Sequence, residues 1–218
     1  MKQKILFTVC VSFICIYSQA QSSKATFGFT AGATIASYKV KVQSISVTSD
    51  SKTGFTAGVM ASLDLGKRFY FQPGLNFTQK GGILKDASNG TKDNSRFNYL
   101  ELPLNFIYDF HSSKGKVFIG AGPSVAIGFG GKYKVTGMYD ESGKIKFGNS
   151  TDDDLKAMDI GANVLAGYQF ANGLFFAASY NFGLSNIAPK NSSSQEKSTI
   201  HNNYIGIKIG YLFLSKVK

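Results

Sequence analysis

From Gly54 to Leu65 the chain reads GFTAGVMASLDL, with apolar side chains at every odd position: Phe55, Ala57, Val59, Ala61, Leu63 and Leu65. The even positions carry Gly54, Thr56, Gly58, Met60, Ser62 and Asp64. A strict period of two belongs to a strand whose two faces meet different surroundings. The pattern returns in Phe69, Phe71, Leu75 and Phe77, in Leu100 to Phe110, and in Val117, Ile119, Val125, Ile127 and Phe129. It returns again in Ile160, Val164, Tyr168 and Phe170, in Leu174, Phe176, Tyr180, Phe182 and Leu184, and in Ile205, Ile207, Ile209, Tyr211 and Phe213. With a first strand from Phe27 to Tyr38, the chain predicts about eight strands, each matching the ~9–11 residues of a tilted membrane strand. No helical period of similar length competes.

The connections alternate in length. Residues 66–67, 111–116 and 171–173 read as tight turns, while 39–52, 81–96, 131–156 and 187–202 are longer and rich in Ser, Asn, Asp, Lys and Gly. Short turns on one rim and long loops on the other are the plan of an outer-membrane barrel, with turns and termini on the periplasmic side.

Period two alone also fits a soluble barrel with its apolar face inward. Two features favour lipid outside. The polar face is mostly Gly, Ser, Thr, Asn and Gln, whereas a solvated face would be rich in Lys, Glu and Asp. The aromatics of the apolar parity also gather near the short-turn rim: Phe69, Phe71, Tyr108, Phe110, Tyr168, Phe170, Phe176, Tyr211 and Phe213. That placement predicts a periplasmic aromatic girdle at the membrane interface. In the stretch NGLFFAASYNFGLSNIAP, Phe176, Tyr180 and Phe182 then face lipid, and Ser179, Asn181 and Gly183 face the lumen. Ile107, Phe118, Leu165 and Phe175 break the parity and read as interior packing near the rims of a narrow barrel. The predicted fold is all-β: one closed antiparallel transmembrane barrel.

The first twenty residues stand apart. Lys2 and Lys4 precede an apolar run from Ile5 to Tyr17, and Ser18-Gln19-Ala20 offers small residues for cleavage. Residues 1–20 therefore read as a secretory signal and 21–218 as the barrel domain. Both cysteines, Cys10 and Cys15, fall in that leader, so the barrel has no thiol for disulfides or metal binding. Loss of two lysines with the leader lowers the formal charge from +11 to +9.

The segments FYFQPGLNFTQKGG, FNYLELPLNFIYDF, GAGPSVAIGFGGKYK and MDIGANVLAGYQFANGLFFAASYNFGLSNI resemble the PorT-like outer-membrane β-barrel family of Bacteroidetes-type bacteria. The likeness runs over nearly all of the chain after the leader. It implies the barrel and an outer-membrane location, but no catalytic signature. The family's named member belongs to a protein-secretion system; most relatives have no assigned role, so a secretion role is not carried over on membership alone.

Candidate chemistry is sparse. The histidines are His111, in a short turn, and His201, in the last outer loop near Ser192, Ser193, Ser194 and Ser198. A Ser/His pair there would suit acyl-chain hydrolysis, but no elbow motif surrounds it, and solvated loop serines are the favoured reading. Thr151-Asp152-Asp153-Asp154 offers oxygen ligands without the spacing of a dedicated Ca²⁺ site. Basic residues, among them Lys67, Arg68, Lys114, Lys116, Lys216 and Lys218 on the periplasmic rim, form no stripe interleaved with aromatics, so nucleic acid is not an expected partner. They suit anionic headgroups. The glycines Gly120, Gly122, Gly128 and Gly130 face the lumen and read as space for large side chains opposite.

Lumen charges need partners, because the interior is only partly hydrated. If Lys80 lies beside Phe97 across the predicted third and fourth strands, the register carries Arg68 to Asp109. The expectation is a structural Asp64–Arg68–Asp109 cluster near the periplasmic rim and a Glu101–Lys208 pair nearer the outer loops. No enzyme activity, cofactor or metal is expected. The expected partners are outer-membrane lipid, lipopolysaccharide, and envelope or secretion proteins at the outer loops of a monomer. A narrow pore for small solutes and a lipid-modifying enzyme are the rival readings.

Overall fold

The computed structural model describes residues 25–86, 90–112, 115–138, 140–150, 152–189 and 198–213. The predicted leader and the loop serines 192–194 lie outside them. Twelve strands follow in order: β1 (Ala25–Val42), β2 (Ile45–Thr48), β3 (Lys52–Gly66), β4 (Phe69–Lys85), β5 (Lys92–Ser112), β6 (Gly115–Thr136), β7 (Glu141–Ile145), β8 (Phe147–Gly148), β9 (Leu155–Lys156), β10 (Met158–Phe170), β11 (Leu174–Gly183) and β12 (Ser198–Leu212). The wall is β1-β3-β4-β5-β6-β10-β11-β12, each strand antiparallel to its neighbours, and β12 closes onto β1 with Ile35 opposite Ile205. β2 and β7 extend the wall above β1 and β6, and β8 pairs with β9 in a small parallel ladder. The predicted eight-stranded barrel is therefore the observed one.

The parity reading also holds along the wall. Phe55, Val59, Leu75, Leu100, Ile127, Val164, Phe182 and Ile207 are exposed on the outside, and Thr34, Thr56, Thr78, Tyr99, Glu101, Asn181 and Asn202 are buried within. A closed sheet leaves no edge, so every spanning segment can satisfy its backbone without water.

Several stretches that read as loops are strand. Residues 39–42, 81–85, 92–96, 131–136 and 198–201 all lie in β1, β4, β5, β6 or β12. Their composition is polar, but their alternate positions stay apolar: Val40, Leu84, Tyr133 and Ile200 pack against a core at the outer mouth. That inward face keeps the ladder running beyond the membrane.

Three of the four prolines lie inside the wall, where strands normally exclude them. The pairing answers with lapses. It skips from Met60–Gly74 to Leu63–Phe71, from Pro73–Leu104 to Asn76–Glu101, and from Pro103–Ser124 to Phe106–Ala121. Pro73, Pro103 and Pro123 each fall in one lapse, since an imide nitrogen has no hydrogen to donate.

Candidate functional site in the lumen

Alternation on β4 sends Asn76, Thr78 and Lys80 inward, and Lys80 is the centre of the lumen. Its ammonium stands 3.1 Å from Asp159 Oδ2 and 3.8 Å from Glu101 Oε1. It also lies 4.8 Å from the Tyr99 ring centre and 5.3 Å from that of Tyr204. Two carboxylates and two π-faces thus enclose one cation, which offsets its removal from water.

The carboxylates are anchored in turn. Tyr204 Oη donates to Glu101 Oε2 at 2.8 Å. Asn202 Nδ2 donates to Asp159 Oδ2 at 3.2 Å and to Tyr99 Oη at 3.1 Å, and Ser185 Oγ donates to Asp159 Oδ1 at 3.3 Å. A neutral layer continues the network: Asn181 Nδ2 donates to Asn163 Oδ1 at 2.7 Å and to Ser124 Oγ at 2.8 Å.

Apolar plugs lie on both sides of this polar centre. At the outer mouth Tyr38, Phe97, Tyr99, Ile145, Leu155 and Ile187 form one core. The long loops supply its lid: Phe147 meets Tyr99 with ring centres 5.4 Å apart, and Ile187 is fully buried. A Cβ on Gly128 would come within 2.4 Å of the Phe147 ring, so that glycine makes room for the lid. At the short-turn end Ile107, Phe118, Phe175 and Leu212 form the second core, with Leu165 against it. Gly167 and Gly210 give way to Phe118 and Phe175 in the same manner. The parity exceptions in the sequence are this inner plug.

Between the polar centre and the lower plug lies a cavity of about 110 Å³ lined by Asn76, Asn105, Gln169, Met60 and Lys208 among others.

The expected charge pairs come out differently. The register is as expected, with Lys80 opposite Phe97, and Asp109 N donates to Arg68 O at 3.1 Å. The Asp64–Arg68–Asp109 cluster nevertheless does not form. Arg68 is exposed in a turn at φ 71°, and Asp64, also exposed, accepts from Gly66 N at 2.8 Å. Buried Asp109 takes Lys116 instead, at 3.0 Å, with that ammonium 4.6 Å from the Tyr70 ring. Strand pairing explains it: His111 lies opposite Lys116, so Lys116 is diagonal to Asp109 on the same inner face. Nor do Glu101 and Lys208 reach ion-pair distance. Tyr204 donates to one oxygen of Glu101, Lys80 stands 3.8 Å from the other, and Lys208 lines the cavity below.

The nine girdle aromatics sit on the outward parity at the short-turn end. Ring contacts join them in arcs: Phe69–Tyr108–Phe110, Tyr168–Phe170–Phe176, Phe71 with Phe106, and Tyr211–Phe213 with Phe29. A second, shorter arc of Phe55, Phe77 and Phe129 lies toward the outer side. Aromatics therefore mark two levels of the wall, where the sequence suggested one.

His201 lies within β12 opposite Lys39, and its Nδ1 has no partner among the described residues. Asp153 and Asp154 accept backbone hydrogen bonds from Ser150 and Lys146, which holds the loop that carries β8 and β9.

An edge-free antiparallel wall, apolar outside and polar within, belongs to the class of outer-membrane β-barrel proteins. The profile of the outer membrane protein beta-barrel domain matches residues 18–188, and the chain belongs to that family and to the outer membrane. No curated protein matches the sequence. Among solved structures, the outer membrane protein OprG from Pseudomonas aeruginosa aligns at 11% identity and a TM-score of 0.51, covering 88% of this chain and 98% of its own. Neisserial surface protein A aligns at 16% identity and a TM-score of 0.45, covering 86% and 98%. The outer membrane enzyme PagL aligns at 13% and 0.39, covering 82% and 98%. At such identities the likeness concerns the fold alone.

Proposed function

We propose that this chain is a non-enzymatic, non-conducting barrel that presents its outer strands and loops to lipopolysaccharide and to partner proteins of the envelope. The observation that carries this reading is the filled lumen: an apolar plug at each end and a charge cluster whose members bond to one another. Such an interior supplies rigidity and leaves the outer surface as the part that meets other molecules. The resemblance to PorT-like barrels supports a finer version, in which the partners are protein-secretion components.

Planar-bilayer recording of the purified protein tests the first part, with no steady conductance steps as the expected result. Steady open-channel currents that lumen substitutions abolish would favour a small-solute pore instead. Affinity purification from membranes tests the partner reading, since secretion components should come down with the barrel. Lipid A mass spectra that change on deletion of the gene would point to an enzyme.

A further inference from the structure

Above the lipid-facing belt, β5, β6 and β7 form a three-stranded extension of the wall. Its register places Arg96 opposite Lys132, and Lys132 opposite Lys144. All three side chains are exposed. Like charges directly opposite one another on a sheet repel, and such a row is unfavourable unless an anion lies against it.

The neighbouring positions reinforce the row. On the same outward parity stand Lys92 and Asn94 of β5, Lys134 of β6 and Ser142 of β7, with Lys92 and Lys134 exposed. Lys52 of β3 donates to Asn94 and adds a further cation. The acids of this extension are on the opposite parity: Asp93 accepts from Ser95, and Glu141 accepts from Tyr133. The outward face thus carries Lys92, Arg96, Lys132, Lys134 and Lys144 without a carboxylate, and none of the five forms an ion pair among the described residues.

Height in the membrane identifies the ligand. Phe129 and Leu100 are exposed apolar residues at the top of the belt. Lys132 follows three residues beyond Phe129, and Arg96 stands four residues above Leu100. On tilted strands that is a rise of roughly 8–10 Å, within reach of a headgroup layer about 5–7 Å deep for long side chains that can lean toward it. The long-loop side is the outer one.

We infer that the Arg96–Lys132–Lys144 row, flanked by Lys92 and Lys134, is a binding site for the phosphate groups of lipopolysaccharide in the outer leaflet. The guanidinium offers a planar fork to phosphate oxygens and the ammonium groups neutralise the remaining charge. The inference rests on the interactive role proposed above and names the surface and the ligand.

The test is native mass spectrometry of the folded protein in detergent, titrated with bisphosphorylated lipid A and with dephosphorylated lipid A. The variants are R96Q/K132Q/K144Q and a control, K67Q/R68Q, that removes exposed charge from the short turn at the opposite end of the barrel. The row variant should bind phosphorylated lipid A at least about tenfold more weakly than wild type, and the control should not. Dephosphorylated lipid A should bind weakly to all three proteins. Without lipid and at low salt, the row variant should melt no lower than wild type, because it has lost a repulsion.

Equal binding by the row variant and wild type would overturn the site, and equal loss in the control would reduce it to net charge. Indifference to dephosphorylation would overturn the ligand. A lower melting temperature in the row variant would make the row a structural feature. None of these outcomes bears on conductance, so the barrel's non-conducting role stands or falls separately.

Discussion

Replacing Lys80 with Met removes the one ammonium that Asp159 and Glu101 share. The three side chains are at most 2% exposed, so neither carboxylate can turn to bulk water. Stripping one partner from a buried ion pair costs about 3–5 kcal/mol, because the remaining charge stays desolvated. Some of that figure is the loss of the Tyr99 and Tyr204 ring faces, worth up to ~2 kcal/mol for a desolvated cation. Removing the pair as a unit costs far less than breaking it. The double variant Lys80→Met/Asp159→Asn keeps one carboxylate of the cluster, Glu101, above the ammonium of Lys208, and should regain at least half of the loss. Urea titration of protein folded into lipid vesicles, followed by the shift between folded and unfolded bands on an unheated gel, measures both. A single variant within about 0.5 kcal/mol of wild type would refute the argument. So would a double variant less stable than the single.

Other outcomes can be checked in the same assay. Ile207→Arg puts a charge on the exposed outer wall and should cost about 2–4 kcal/mol if it lies near the bilayer midplane, whereas Lys208→Met inside the lumen should leave insertion intact; equal effects would overturn the facing. Lys116→Met should lower stability by about 1–3 kcal/mol through Asp109, while Arg68→Ala in the exposed turn should leave it within about 0.5 kcal/mol. Gly128→Leu should displace Phe147 and raise protease cleavage within residues 137–157 while the heat-modifiable gel shift persists; unchanged cleavage would show that the lid does not depend on that space.

The barrel was legible in the sequence because its two solvents differ so sharply. Lipid and lumen impose opposite chemistry on successive residues, and Phe55 to Leu65 records that at every position. Register was partly legible too, since setting Lys80 beside Phe97 brought Arg68 to Asp109. Side-chain partnership was not. Asp159 follows outward-facing Met158, so its inward parity can be read from the pattern, yet its partner Lys80 is 79 residues away on a strand it does not pair with. Lys116 had a rim position in the sequence, and only the β5–β6 pairing sets it diagonal to Asp109. The strand extensions beyond the membrane were hidden by composition, because water on their outer face favours the residues that also make loops.

The lumen cluster has a consequence for the order in which the barrel is made. Lys80 and Glu101 arrive on the adjacent strands β4 and β5 and can meet in an early hairpin. Asp159 arrives with β10, and Asn202 and Tyr204 only with β12, each 103 residues after its partner on β5, Tyr99 or Glu101. An unfinished sheet therefore holds polar groups whose partners have not yet been delivered, and its inner face must stay wet. When β12 docks on β1, the last donors drop into place together and the water leaves. The cluster acts as a latch thrown by the final strand, because a barrel released one strand short would hold Lys80, Glu101 and Asp159 without the Asn202 and Tyr204 donors that anchor them.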